Sequence, residues 1–435
     1  MEKICKLKNG GVLIYEHTNL NESTAVEIGF RVGAFNESKF GTAHFLEHTL
    51  FKKTKNRTNS EVENDRNKIA FLNASTSMDY LVVRFFRTNK LIAESLDFAS
   101  DVLMNSVIDD EYIESEKGVI KEELAMCKDN ESRDIFVKNI RQAMSNARFS
   151  SDIVGKTNEN IDEISLRVLK NYKEKYFVGN NFIASVTSSL SLSKIKKLVN
   201  KYFVNKIPYK KDYKLVKSYY QTNRIDRDSS LNIYKNEQEK VSVMLSFKLD
   251  ADELEIYLKN FNYSFLSKYL SGSQGELFLN LRNKGLIYRL DSDITSFNGE
   301  SLFFIVFETS KDKILQILNI ISDEVRKVVS TEIDEKYISA FKKNLEYYQD
   351  EKMPVKMTSK CHLNLMDFLS YGKLFKLKRR QRKKLIAGVN ASEVKRIANI
   401  IFNKNNKMFV SVLGNADKNN VPNLNYFKEK FLIAE

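Results

Sequence analysis

Two histidines and a glutamate lie close together near the start of this chain: His44, Glu47 and His48. Only four histidines occur in 435 residues, so their closeness is unusual. On an α-helix, positions i, i+3 and i+4 share one face, so the three side chains would point the same way. Two imidazoles one turn apart can bind a single zinc ion beside a carboxylate that acts on water. The stretch predicts a zinc site, and the alternative is an amphipathic helix with incidental histidines.

A pair of glutamates further along the chain, Glu116 and Glu123, could complete such a site. A catalytic zinc ion needs a third protein ligand and one open position for water. The two residues are two helical turns apart and would project from one face, whereas Glu122 would point elsewhere, into solvent. Glutamates on a charged helix are usually surface residues. The pair by itself therefore leaves both interpretations open.

Taken together, these residues resemble the signature of the pitrilysin/insulinase metallopeptidases, which include the mitochondrial processing peptidases. In that family, His-x-x-Glu-His is followed some seventy-odd residues later by a helix with two glutamates seven apart. Here 74 residues separate His48 from Glu123. The resemblance implies that His44, His48 and Glu123 bind one Zn²⁺ per chain. It also implies that Glu47 is the general base and that Glu116 is a second carboxylate that supports the site.

Two further segments resemble parts of the family that contact substrate. The sequence Asn-Ala-Ser-Thr, which begins at Asn73, is similar to a segment that lines the cleft, and this implies that Asn73 and Ala74 bind substrate. A glycine-bearing segment in the second half carries Arg282 and Tyr288, which the resemblance places across the cleft near the zinc. They are six residues apart, one fewer than in the family. The alternative is a helix-to-strand junction with an ordinary arginine and a core tyrosine.

The elements that must position these residues follow from hydrophobic periodicity. Strands are predicted at 11–16, 24–33, 79–88, 181–186, 231–235, 241–249, 301–309 and 407–414, and helices at 90–106, 109–128, 131–148, 169–177, 193–203, 252–270, 311–329 and 332–350. The second half repeats the plan of the first without the metal motif. We therefore predict an α+β fold of two homologous-looking domains, each a mostly antiparallel sheet with helices packed on one face. The predicted boundaries are 1–210 for the zinc-binding domain, 211–228 for a linker and 229–435 for the second domain.

Charge alone suggests a rival function. The net charge is +14, and residues 376–384 form a dense basic run. Such a run can bind phosphates or acidic peptides, but it is more often a solvated helix face. Because no base-stacking motif or nucleic-acid module accompanies the charge, we predict no nucleic-acid partner.

Cysteine usage and hydropathy indicate the compartment. The three cysteines are scattered, with no Cys-x-x-Cys, which is typical of a reducing environment. No apolar run approaches the ~18–20 residues of a membrane span, and the N-terminus lacks a signal-peptide pattern. The sequence predicts a cytoplasmic protein without a membrane span.

The resemblance extends over nearly the whole chain and implies a zinc metalloendopeptidase that cleaves unfolded or short peptides in an enclosed chamber. Family members bind the peptide as an added strand on a sheet edge. The same resemblance implies a homodimer or a heterodimer with a related subunit. Two alternatives stay open: a zinc-bearing subunit that needs a partner for activity, and a non-catalytic structural member of the family.

Overall fold

Two β-sheets form the framework of the fold. The computed structural model describes residues 2–19, 22–69, 71–144, 153–214, 226–249, 256, 261–272, 275–297, 300–347, 355–374 and 379–435. The strands are β1 (Glu2–Lys6), β2 (Val12–His17), β3 (Ser23–Phe30), β4 (Asn73–Thr76), β5 (Leu81–Thr88), β6 (Phe182–Ser188), β7 (Ser230–Lys235), β8 (Lys240–Leu249), β9 (Arg289–Phe297), β10 (Glu300–Ser310) and β11 (Met408–Gly414). The α-helices are α1 (Thr42–Leu50), α2 (Asn59–Asn67), α3 (Ile92–Asn105), α4 (Asp110–Asp129), α5 (Glu131–Ala143), α6 (Asn158–Asp162), α7 (Leu166–Tyr176), α8 (Leu192–Val199), α9 (Phe261–Ser271), α10 (Glu276–Asn283), α11 (Ile314–Ser330), α12 (Glu335–Tyr347), α13 (Val355–Tyr371), α14 (Arg379–Ala387), α15 (Ala391–Ile401) and α16 (Leu424–Phe431).

The chain folds into two compact units that are not contiguous in sequence. The first unit comprises Met1–Met126, Ser151–Gln221 and Glu351–Phe375, and the second comprises Cys127–Ser150, Thr222–Asp350 and Lys376–Glu435. Helix α5 thus belongs to the second unit, although it lies in the first half of the sequence. Helix α13 belongs in the same way to the first unit. The units depart from the predicted contiguous division at these two segments.

The sheet of the first unit has the strand order β1-β2-β6-β3-β5-β4. Its pairs are antiparallel except for β2 with β6. Strands β3 and β6 are buried along their whole length, since both faces of the sheet are covered. Strand β4 pairs with β5 and forms one edge of the sheet, so its outer backbone groups do not take part in the ladder.

Helices cover both faces of this first sheet. Successive strand residues point to opposite faces, so Leu81 and Val82 of β5 face different helices. Val82 shares a buried cluster with Leu365 of α13. Leu81 is the cross-strand partner of Thr76, which contacts α1 on the other face. Helix α3 packs against β5 and β3 as well.

The second unit repeats this plan. Its sheet has the order β7-β11-β8-β10-β9, with one parallel pair, β7 with β11. On β8, Val243 and Leu245 belong to the main hydrophobic core, which α9, α11 and α15 complete. Met244 points to the opposite face and packs with Ile135 of α5. The predicted α+β class, with two similar mostly antiparallel sheets and helices packed on them, is confirmed. The prediction that helices cover one face is corrected, because helices pack on both faces of each sheet.

The helices α5 and α13 are attached to their sheets by hydrogen bonds as well as by apolar contacts. In the second unit, Asn139 Nδ2 of α5 donates to the carbonyl oxygen of Phe409 at 3.3 Å. In the first unit, Asn364 Nδ2 of α13 donates to Glu16 Oε2 at 2.9 Å. All four residues are buried. Buried polar groups that are satisfied in this way fix one position of a helix on a sheet.

Most of the predicted elements are present with ends shifted by a few residues, and several elements were missed. The structure adds β1, the short edge strand β4, strand β9 and the helices α2, α6, α10 and α13–α16. Most of the predicted linker, 215–225, lies outside the described residues, as do 376–378 of the basic run. Residues 252–255 and 257–260 of the predicted helix 252–270 also lie outside the described residues. The rest of that run lies in α14, where 381–384 are exposed. Among the described residues, no helix combines the length and apolar character needed to cross a membrane.

Candidate metal centre

Helix α1 carries the two histidines, and its start is held by two features. Gly41 precedes the helix with φ of +88°, a conformation that favours glycine, and a Cβ there would lie 2.6 Å from the Val154 carbonyl oxygen. The buried Glu37 carboxylate accepts hydrogen bonds from the backbone N–H groups of Gly41 at 2.7 Å and Ala43 at 3.0 Å. A carboxylate at this end also interacts favourably with the helix dipole. The position of His44 on the first turn of α1 is thereby fixed.

Three side chains of the first unit converge on one point: His44, His48 and Glu123. Their candidate ligand atoms all lie within 4.8 Å of one another. His44 Nε2 is 3.6 Å from Glu123 Oε1, and His48 Nε2 is 3.5 Å from Glu123 Oε2. The two imidazole rings are T-shaped with centroids 4.7 Å apart. The structure thus brings together the three residues that the resemblance to the family selected.

Glu116, one heptad before Glu123 on α4, holds the second histidine rather than joining the cluster. The buried Glu116 carboxylate accepts a hydrogen bond from His48 Nδ1 at 2.9 Å. Its other oxygen forms an ion pair with Lys52 Nζ at 2.5 Å. The proton on Nδ1 leaves His48 Nε2 as the lone-pair nitrogen that faces Glu123. Glu116 thus contacts His48 from outside the cluster, and its supporting role stays a prediction.

Replacing Glu116 with glutamine should weaken zinc binding about 10- to 100-fold. The substitution removes the carboxylate that orients His48 and makes its imidazole nitrogen more basic toward zinc. The measurement is competition for zinc with a chelator of known affinity. The matched control is Glu122→Gln, which removes one carboxylate from an exposed position of the same helix. Equal zinc affinity of the two variants would contradict the supporting role.

Glu47 lies beside the cluster, where Thr76 of the edge strand holds it. Thr76 Oγ1 donates a hydrogen bond to Glu47 Oε2. Burial raises the pKa of the Glu47 carboxyl above its ordinary value, although the hydrogen bond from Thr76 and the nearby His48 act in the opposite direction. A carboxylate with a raised pKa is better suited to exchange protons near neutral pH. Thr76 was not among the predicted site residues, although it lies in the segment that resembled the family's cleft lining.

The two residues predicted to bind substrate, Asn73 and Ala74, begin the edge strand β4. The Asn73 side chain is exposed, whereas the Ala74 side chain is buried against the unit. Only the backbone of Ala74 could therefore contact a peptide. Because β4 is an edge strand, its outer N–H and C=O groups could pair with an added strand.

Arg282 and Tyr288 belong to the second unit and lie at the junction of α10 and β9. Arg282 Nη1 donates to the carbonyl oxygens of Ile287 at 3.3 Å and Tyr288 at 3.4 Å. The Tyr288 side chain is 66% exposed, so the alternative of a core tyrosine is wrong. The arginine thus braces the backbone that presents an exposed phenol ring.

The donor set of the cluster fits a zinc ion. Two imidazole nitrogens and one carboxylate oxygen are a ligand set of known catalytic zinc sites, which keep the fourth position for water. The second carboxylate on His48 is the outer-sphere partner that such histidines usually have. The cluster borders solvent, since Glu123 and His48 are only partly buried. The residues present could therefore hold zinc and leave one side accessible.

Comparisons with known proteins agree with this site. Residues 12–157 match the family described as Insulinase (Peptidase family M16), and residues 163–345 match its companion, Peptidase M16 inactive domain. The chain is 26% identical over 330 residues to the uncharacterized zinc protease YmxG of Bacillus subtilis (strain 168), which covers 74% of this chain and 76% of that protein. It is 29% identical over 201 residues to mitochondrial-processing peptidase subunit beta of Rattus norvegicus, covering 45% and 40% of the two chains. A crystal structure of a protease from Helicobacter pylori superimposes with a TM-score of 0.79 at 21% identity, over 95% of this chain and 99% of that one.

The fold and the cluster together define a two-unit α+β protein with a His-x-x-Glu-His motif and a candidate metal centre. The chain belongs to the insulinase family, peptidase family M16. The membership predicted from the sequence motifs is therefore confirmed.

Proposed function

We propose that this protein is a zinc-dependent metalloendopeptidase that cleaves unfolded or short peptides within an enclosed chamber. The observation that carries the proposal is the convergence of His44, His48 and Glu123, with Glu47 beside them. The three ligands would hold the zinc ion. Zinc bound there would polarise the scissile carbonyl and lower the pKa of a water molecule.

Glu47 is assigned the proton transfers. Because Thr76 donates to Oε2, we assign Oε1 as the atom that takes a proton from the attacking water. The same carboxyl then returns the proton to the nitrogen of the leaving amine. Burial, which raises the pKa of Glu47, makes its protonated form accessible for this second step.

The peptide is assigned to the edge of β4. An extended substrate would pair its backbone with the outer edge of Asn73–Thr76, as an added strand. This mode requires an unfolded segment, because a residue inside a folded domain has already paired its backbone groups. Unfolded chains and short peptides are therefore the proposed substrate class.

A direct test is cleavage of an unstructured peptide library by the purified chain, with products identified by mass spectrometry. We expect cleavage that a chelator abolishes and that added zinc restores. A chain that binds zinc but cleaves no peptide in the library would contradict a self-sufficient enzyme.

A second candidate is a zinc-bearing subunit that needs a related partner. It is favoured by the similarity to mitochondrial-processing peptidase subunit beta, whose name describes one subunit of an assembly. For either candidate we propose a homodimer or a heterodimer with a related subunit. We also propose a reducing, cytoplasmic location, and the three cysteines, all described residues, form no disulfide.

The two candidates differ in what the second unit must supply. If Tyr288 stabilises the transition state, Tyr288→Phe should lower kcat by about 10- to 1000-fold, as expected for the loss of one oxyanion donor. Thermal stability and zinc content should stay unchanged, because Tyr288 is an exposed residue. The matched control is Tyr209→Phe, another exposed tyrosine. Unchanged kcat in Tyr288→Phe and also in Arg282→Ala would contradict the assignment and favour a partner that supplies these groups.

A further inference from the structure

Helix α4 exposes two apolar side chains, Val119 and Met126, beside the metal cluster. We propose that these two residues, named here the α4 rim, form an apolar border of the substrate site and select large apolar side chains on both sides of the scissile bond. The inference rests on the proposed peptidase function and adds a specificity to it.

The two residues of the α4 rim differ in character from the other exposed residues of the helix. Val119 is 51% exposed and Met126 is 70% exposed. The other exposed positions in the part of α4 from 113 to 126 are charged or small: Glu114, Ser115, Gly118, Glu122 and Ala125. The apolar side chains that stabilise the helix, among them Ile120 and Leu124, are buried elsewhere on it. Packing among the described residues of the unit therefore does not account for these two exposed apolar groups.

The position of the α4 rim beside Glu123 explains why its apolar side chains are exposed. Val119 lies four residues before Glu123, and Met126 lies three residues after it, so each is one turn away on the same side of the helix. Glu123 is the ligand on this helix that is half-exposed, whereas Glu116 is buried. The rim thus borders the accessible side of the cluster.

The spacing also matches a peptide. Seven helical residues separate the two rim positions by about 10 Å along the axis, at 1.5 Å per residue. An extended chain covers the same length in about three residues, at roughly 3.3 Å each. If such a peptide runs along α4 with its scissile bond near Glu123, side chains from both sides of that bond would contact the rim. Contact would remove apolar surface of both molecules from water.

The experiment pairs enzyme variants with peptide variants. Val119→Thr and Met126→Gln keep approximate side-chain size and remove apolar character, and they are combined in one double variant. The substrates are two otherwise identical unstructured peptides with one defined cleavage site, flanked on both sides by leucine in one and by asparagine in the other. The readouts are kcat/KM for each peptide, zinc content and sedimentation velocity. The control is Leu363→Gln, which changes a 61% exposed leucine of α13 in the same unit.

We expect the wild-type chain and Leu363→Gln to prefer the leucine peptide by about tenfold or more, the scale of discrimination that a small apolar pocket achieves. In the double variant the preference should fall to about twofold or less, with zinc content unchanged. Retention of the wild-type preference by the double variant would overturn the proposal. Loss of a dimer in the double variant, with kcat/KM for each peptide still at its wild-type value, would also overturn the proposal and would assign the rim to contacts between copies of the chain. A wild-type chain that binds zinc and cleaves neither peptide would overturn the peptidase function, and the proposal with it.

Discussion

His48→Ala should reduce zinc from about one ion per chain to a trace. The imidazole that faces Glu123 is removed, and the two remaining ligands, His44 and Glu123, cannot hold the ion tightly. The buried Glu116 carboxylate would also lose the hydrogen bond from His48 and would keep its ion pair with Lys52. The measurement is elemental analysis after dialysis against a weak chelator, together with peptide cleavage, which should fall to background.

The control for this experiment is His17→Ala. His17 is a histidine of the same unit whose ring contacts Tyr15 and Asn19. Its replacement should leave the zinc content at about one ion per chain. Stoichiometric zinc in His48→Ala would contradict the ligand assignment. Zinc loss in both variants would mean that histidine replacements act through the stability of the unit.

Glu47→Gln should separate metal binding from catalysis. The amide keeps the size of the side chain and can still accept the hydrogen bond from Thr76, so the fold and the zinc content should be retained. It cannot take a proton from water, so kcat should fall by about 10²- to 10⁴-fold, the contribution typical of a general base. The measurement is single-turnover cleavage of a defined peptide with zinc content determined on the same sample.

Thr76→Val provides a graded comparison for this variant. It removes only the hydroxyl that orients Glu47, so its effect on kcat should be smaller than that of Glu47→Gln. Activity of Glu47→Gln within a few-fold of wild type would show that another group is the base. Loss of zinc in Glu47→Gln would show that Glu47 acts as a ligand, which its position beside the cluster does not indicate.

The metal centre illustrates how much residue spacing alone can predict. That His44, Glu47 and His48 share one face follows from helix geometry, which any helical segment obeys. That Glu116 and Glu123 share a face follows in the same way. Helix periodicity does not distinguish their roles, because both are carboxylates on one stripe. The packing of α4 decides this: it buries Glu116 against His48 Nδ1 and leaves Glu123 to face both Nε2 atoms.

Other parts of the site depended on contacts that are distant in sequence. Thr76 lies 29 residues from Glu47, and its hydrogen bond to that carboxylate follows from the pairing of β4 with β5 and the packing of α1. Strand β4 is only four residues long, too short for a clear alternation of polar and apolar residues. The exposure of Tyr288 likewise depends on how the α10–β9 junction packs.

The sequence by itself determined the α+β class, the family, the helix that carries the histidines and the two repeats of strands and helices, because these depend on local periodicity and on short motifs. The tertiary structure alone decided that α5, from the first half of the sequence, packs on the sheet of the second unit. It likewise decided that α13, from the second half, packs on the sheet of the first unit. An amphipathic helix shows in its sequence that one face is buried but not which surface buries it. That choice is made by long-range contacts such as Asn139 with Phe409 and Asn364 with Glu16.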